Sequence, residues 1–247
     1  MLLSGRLRDV GRCFSTPLVT IGMPLATAST TAGSAVGKTT RNRRSFLGLF
    51  AVLLMALFTG WMLRPSTALD LAHGHRLQQA GIFSEWAAGN MVVFVRHAER
   101  CDRSHNLCLG DPTGITADGA RVAATAGQAL EAMGLHHTDV VSSPLVRTVQ
   151  TSEAMFARAA QTVTWLQDCR RPAVKDVMAL KKPGRNLIVV THSGCIDRYE
   201  SQLGVGSTPA SGYVSALFVS QRDNAPAKAL GYLDAPAWQA VLNQATK

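Results

Sequence analysis

The sequence predicts an α/β fold, a mostly parallel sheet covered by helices on both faces in three layers. Short apolar runs recur at 91–95, 140–142, 162–166 and 187–191, and segments with helical punctuation separate them. Unbroken apolar runs are what strands buried on both faces look like, and strands alternating with helices make parallel sheets. Polar groups stand where these runs end: Arg96-His97 after the first, Ser142-Ser143 closing the second, His192 after the fourth. Ligands in such sheets sit beyond the carboxyl ends of the strands.

The elements follow in order. Residues 69–90 form a short helical lead-in, with Leu71, Leu77, Ile82 and Trp86 at loose helical intervals. The strand 91–95 leads to a polar loop, 101–114, containing Gly and Pro. Thr116 caps a helix that runs to 133 and stops at Gly134. After the strand 140–142, a helix is expected over 144–159, with Pro144 in its first turn. A strand at 162–166 and a helix at 174–181 precede Pro183-Gly184. The strand 187–191 leads into a helix over 194–203. Segments 213–219 and 227–233 read as strands at a sheet edge.

Charge divides the chain. Residues 1–68 hold eight Lys/Arg against one acid, Asp9, whereas residues 69–247 hold 17 basic and 15 acidic side chains, a net +2. The whole-chain +9 is therefore mostly a property of the leader and no argument for nucleic acid as partner. Residues 1–44 read as a basic, disordered leader. Residues 45–63 are an uncharged apolar run behind Arg41, Arg43 and Arg44, long enough to span a bilayer. The basic flank stays in the cytoplasm, which sends residues 69–247 across the membrane. Ser66-Thr67-Ala68 suits a cleavage site, so 45–68 is either a signal peptide or an inner-membrane anchor. Arg43-Arg44 also fits a twin-arginine signal. The expected location is the periplasm, and residues 69–247 suffice for one domain.

Of the five cysteines, Cys13 lies in the leader; Cys101, Cys108, Cys169 and Cys195 lie in the domain. In an oxidising compartment four such thiols pair. Three connectivities exist, and Cys101–Cys108, closing a short loop, is the first expected. No CxxC pair suggests zinc.

The strand-end residues suit phosphoryl transfer. A phosphomonoester spreads nearly two charges over three oxygens, and guanidinium groups bind them in bidentate fashion. Arg96 and Arg147 are the candidates. His97, at the tip of the first strand, is the candidate nucleophile, its neutral imidazole attacking phosphorus. His192 stabilises the charge on the transferring group. The leaving alkoxide needs a proton donor, with Asp168 and Glu99 nearby. Glu99, Arg100, Arg103 and Ser193 are placed to bind the substrate. Neither metal nor cofactor is implied.

These residues carry a resemblance. Arg96-His97-Ala98-Glu99 resembles the RHG-type signature of the histidine phosphatase superfamily, whose fold is phosphoglycerate-mutase-like. Ile115-Thr116-Ala117-Asp118-Gly119 resembles its LTxxG helix start. The block from Ser142 to Thr151 resembles its SxxxRxxQT segment, and Thr191-His192-Ser193-Gly194 its second catalytic histidine. The resemblance covers about residues 90–220. It implies a metal-free phosphatase with His97 phosphorylated in turnover. The loop from Arg96 to Asp111 is similar to that of a small exported branch, as are cysteines placed like Cys169 and Cys195. That branch implies a phosphorylated envelope sugar or glycolipid as substrate, such as a lipopolysaccharide core heptose phosphate. Two departures stand out: Ala98 replaces a glycine, and Asp168 stands where mutase-like members carry a glutamate. Competing readings are a phosphatase of small soluble phosphoesters or of a phosphohistidine protein, and a membrane-tethered binding protein with an inactive phosphatase fold. A mutase is disfavoured, because loops to grip a second phosphate are short.

Overall fold

The computed structural model describes residues 39–62, 66–170, 173–206, 212–223 and 225–246. The chain divides into two units, Met1–Thr59 and Gly60–Lys247. Helix α1 (Thr39–Met62) carries the apolar run, and its side chains from 46 to 61 are exposed. Among the described residues no helix is long and apolar enough to cross a membrane. The span expected at 45–63 ends at residue 63, outside the described residues. The leader expectations for residues 1–38 lie outside the described residues.

The second unit begins with β1 (Ser66–Thr67), α2 (Arg76–Gln79) and α3 (Ile82–Ala87). Then come β2 (Met91–Arg96), α4 (Ala117–Ala132), β3 (Thr138–Ser142), α5 (Val146–Phe156) and β4 (Gln161–Thr162). The chain continues through α6 (Val174–Met178), β5 (Asn186–Thr191), α7 (Ser193–Gln202) and β6 (Val205–Gly206). It finishes with β7 (Ala216–Ser220), β8 (Lys228–Leu233) and α8 (Trp238–Ala245).

Six strands form one sheet in the order β4-β3-β5-β2-β7-β8. The pairs β4–β3, β3–β5 and β5–β2 are parallel, whereas β7 runs antiparallel to β2 and β8 antiparallel to β7. Alternate β2 side chains enter two separate cores. Met91, Val93 and Val95 pack with Ala126, Leu130, Phe156 and Trp238 on one face. Val92 and Phe94 pack with Val177, Ile196 and Tyr199 on the other. The expected three layers follow directly from that alternation. On the first face α4 lies close against α5, because a Cβ at Gly127 would stand 1.9 Å from the Met155 carbonyl oxygen.

Several expected elements are corrected. The run 162–166 is not a strand. β4 has two residues, Val163 N–H adds one bond to the Ser142 carbonyl (2.8 Å), and a 3-10 turn Thr164–Gln167 then buries Leu166. An edge position with one partner lets the chain curl inward at that leucine. Segment 213–219 is not an edge strand. β7 starts at Ala216, is buried throughout and lies between β2 and β8. Helix α5 starts later than Pro144, since the Thr148 hydroxyl donates to the Ser143 carbonyl (2.8 Å) and holds the preceding turn open. It ends at Ala157, whose φ of 52° leaves the helical region. The helix expected over 174–181 stops at Met178.

Candidate active site

Strand register brings the polar residues together. Val95 pairs with Val190, Val190 with Ser142, and Arg96 with Thr191, so β2, β3 and β5 end at one level. The next residues stay in register: His97 N–H donates to the Thr191 carbonyl (2.9 Å) and Ser143 N–H to the Val190 carbonyl (3.0 Å). The chain then turns into α5 and α7, which places Arg147 in the first turn of one and His192 at the N-cap of the other.

His97 and His192 are 4% and 8% exposed, and their rings lie edge to face with centroids 5.4 Å apart. His97 Nδ1 lies 2.8 Å from the Ala98 carbonyl oxygen, which accepts only if Nδ1 carries the proton. The Nε2 lone pair is thereby left for chemistry. Burial is the main influence lowering the His97 pKa, to about 3, and His192 and Arg147 add to it. Burial followed by Arg147 and Arg100 lowers His192 to about 4. Both rings are neutral at physiological pH, as a nitrogen nucleophile requires. His192 Nε2 lies 2.9 Å from Ser143 Oγ. Leu145 N–H approaches that same oxygen at 3.5 Å, which leaves the Ser143 hydroxyl proton available to donate to His192 Nε2. With that donor the His192 proton sits on Nδ1, a buried atom with no partner among the described residues.

Both candidate arginines are half-buried, and their Nε atoms are buried without hydrogen-bond partners among the described residues. Burial lowers both guanidinium pKa values, yet guanidinium stays charged. Arg100 and Arg103 add repulsion to both arginines. Asp197 acts in the opposite sense on Arg96 and Asp102 on Arg147, so four guanidinium groups face two carboxylates around a neutral imidazole pair. Among the described residues no group of three or more His, Cys, Asp and Glu is placed to hold a metal ion.

The remaining sequence candidates lie around this centre. Arg100 is paired with Asp102, its Nε donating to Oδ1 at 2.7 Å, while its charge is felt at His192. Arg103 is exposed in the same loop. Ser193 opens α7 beside His192. Glu99 is engaged by its own chain. It accepts from Ser104 Oγ (3.0 Å), Asn106 Nδ2 (2.9 Å) and Thr116 Oγ1 (2.7 Å), and these bonds hold its carboxyl below the usual range. It braces the nucleophile loop against the start of α4, where Thr116 Oγ1 also accepts from Gly119 N–H (2.9 Å). Asp168 ends the 3-10 turn and accepts from the Arg170 backbone N–H (3.1 Å). Its neighbour Cys169 is bonded to Cys195 of α7, and Cys101 is bonded to Cys108 as expected. Ala98 needs no glycine-like backbone, because its φ is not positive, and its N–H is held by Thr151 Oγ1 (2.9 Å).

Three site residues escaped the sequence reading. Ser143 was placed at a strand end without a role, and its grip on His192 depends on the β3–β5 register. Tyr213 covers Arg96, with Cζ 4.1 Å from the ring centroid, and its ring lies 5.8 Å from that of His97. Asp197 acts on Arg96 from α7, and desolvation raises its carboxyl pKa. Helical spacing places Asp197 on the face of Ser193, one turn on, a signal that was available in the sequence. A cleft of about 630 Å³ against Glu85, Ser220 and Arg222 lies at the opposite end of β2 and β7, away from this chemistry.

Residues 92–170 match the model of the histidine phosphatase superfamily, branch 1. Among curated proteins it is similar to the lipopolysaccharide core heptose(II)-phosphate phosphatases of Salmonella newport and Salmonella typhimurium. Each is 38% identical over 109 residues, which are 43% of this chain and 54% of the relative. The chain thus spans about half the length of these relatives. Among solved structures it is similar to the protein histidine phosphatase SixA complexed with tungstate, at 17% identity and a TM-score of 0.48. That match covers 59% of this chain and 97% of the other. It is also similar to a phosphoglycerate mutase from Bacillus anthracis, at 13% identity and a TM-score of 0.41, covering 63% and 98%.

Proposed function

We propose that this protein is an exported phosphomonoesterase acting through a phosphohistidine on a sugar phosphate of the cell envelope, such as a lipopolysaccharide core heptose phosphate. One observation carries the chemistry: two half-buried guanidinium groups, their Nε atoms without hydrogen-bond partners among the described residues, stand beside an imidazole whose Nε2 lone pair is free. His97 Nε2 attacks phosphorus as the bond to the leaving oxygen breaks. Arg96, Arg147 and the Nδ1–H of His192 meet the charge on the equatorial oxygens. The leaving oxygen takes its proton from a carboxylic acid at the rim. Water then attacks the phosphohistidine, the P–N bond breaks, and the carboxylate recovers a proton from that water. Of the two carboxyls the sequence offers for this role, Glu99 is engaged by its own loop, which leaves Asp168, and the structure adds Asp197. Asp197 is tested first, because it acts on Arg96 from α7 and its carboxyl pKa is raised. Asp197→Asn should lower kcat at least tenfold on an alkyl phosphate and much less on an aryl phosphate, whose leaving group needs no acid. Equal losses on both esters would return the role to Asp168.

The envelope substrate is supported by the resemblance to the heptose phosphate phosphatases and by the leader's basic flank and apolar run. The test is hydrolysis of a heptose-phosphorylated glycolipid compared with small soluble phosphoesters and a phosphohistidine protein. Higher kcat/KM on the glycolipid is expected, and preference for either alternative would replace the substrate assignment. Wild-type protein should yield acid-labile, alkali-stable phosphate that His97→Ala lacks. Export is tested by fusing a reporter active only in the cytoplasm after residue 90. No signal is expected, and a strong one would remove the envelope from the argument.

A further inference from the structure

Val214 is a buried β-branched residue with φ of 59°, in the left-handed region that such residues rarely enter. Ser215 N–H donates to the Gly212 carbonyl (3.2 Å), so residues 212–215 form a turn with Val214 third, where a type II turn ordinarily puts glycine. A valine there is strained, and strain persists only where surrounding structure over-determines it. The surroundings are specific. Val214 N–H donates to the Arg96 carbonyl (3.2 Å), its own carbonyl accepts from Trp238 Nε1–H (2.8 Å), and its side chain is wholly buried. The product of this strained turn is the placement of Tyr213 over the Arg96 guanidinium and beside the His97 ring.

We propose that Tyr213 is a positioning residue for phosphate binding, its ring face fixing the plane of Arg96 and the Val214 turn fixing the ring. The inference rests on the reading of Arg96 and His97 as the phosphate pocket. A carboxylate holding Arg96 would occupy the in-plane N–H donors that a phosphate needs. A ring face holds the cation from above and leaves every donor free. Arg96 Nε has no hydrogen-bond partner among the described residues, which agrees with a guanidinium held by its face. Tyr213 is half-buried, so its replacement opens no core cavity.

The experiment is calorimetric titration of the full chain with inorganic phosphate, which needs no turnover. Tyr213→Phe and Tyr213→Trp keep a ring face and should retain affinity. Tyr213→Leu and Tyr213→Gln should raise Kd about tenfold, a size within the range of a desolvated cation–π contact. In an Arg96→Ala background the same Leu and Gln changes should have no further effect. Two non-aromatic variants guard against one failing to fold, and thermal melting confirms each. Equal losses for Phe and Leu, or additive losses with Arg96→Ala, would overturn the positioning role. If wild type bound no phosphate, the pocket assignment itself would fall.

Discussion

At the scale of single residues, the site works by leaving charge unpaired. Arg147 sits in the first turn of α5 with its Nε buried and without a hydrogen-bond partner among the described residues, which leaves that donor for a bidentate ligand. Arg147→Lys keeps the charge and loses the fork. A loss of at least about tenfold in kcat/KM is expected, roughly 1.4 kcal/mol of transition-state stabilisation. The exposed Arg103, altered to lysine, should cost less. Steady-state kinetics on one phosphoester decide this, and full activity of Arg147→Lys would place that residue outside the pocket. The sequence pointed to Arg96, His97, Arg147 and His192 because each lies at the end of an apolar run or a few residues beyond it. Ser143 and Tyr213 were not legible as site residues, because one depends on strand register and the other on a strained turn far along the chain.

At the scale of elements, two devices hold the loop after His97. Thr116 caps α4 and gives its hydroxyl proton to Glu99, linking the helix start to the nucleophile loop. Thr116→Ala should destabilise the domain by about 1–2 kcal/mol, the usual cost of a lost N-cap, read from the denaturant midpoint. An unchanged midpoint would mean that water replaces the cap. The Cys101–Cys108 bond closes the same loop. Chain entropy assigns so short a cross-link about 2–3 kcal/mol. Alkylation without reductant should leave Cys101, Cys108, Cys169 and Cys195 unmodified in the exported protein. Four modified thiols would show that neither bridge forms there. The loop's place between strand and helix was readable, whereas the bracing role of Glu99 emerged only with the loop closed around it.

Across the whole molecule, the site and stability are linked through protons. His97 and His192 titrate near 6.5 in an unfolded chain, but burial lowers them to about 3 and about 4 in the fold. Between these limits the unfolded state binds more protons than the native state, so stability rises with pH. On acidification from about pH 6.5 the domain should lose stability, each histidine contributing up to about 1.4 kcal/mol per pH unit. Denaturation midpoints from pH 7 to 4 measure the slope, and His97→Ala should make it shallower. A slope unaffected by that change would mean that His97 titrates normally and is no neutral nucleophile at low pH.

Local information was enough for the fold class, the strand-end residues and the first disulfide. Apolar runs, a capping threonine and the side chain following a strand are each specified within a few residues. Tertiary structure decided the rest. It placed β7 inside the sheet and curled 162–166 away from it, because pairing partners come from distant segments. It forced Val214 into a glycine's conformation, because Trp238 and the Arg96 backbone hold it there. It brought two half-buried guanidinium groups to one place, their Nε atoms without hydrogen-bond partners among the described residues, because strand register aligns three strand ends from distant parts of the chain.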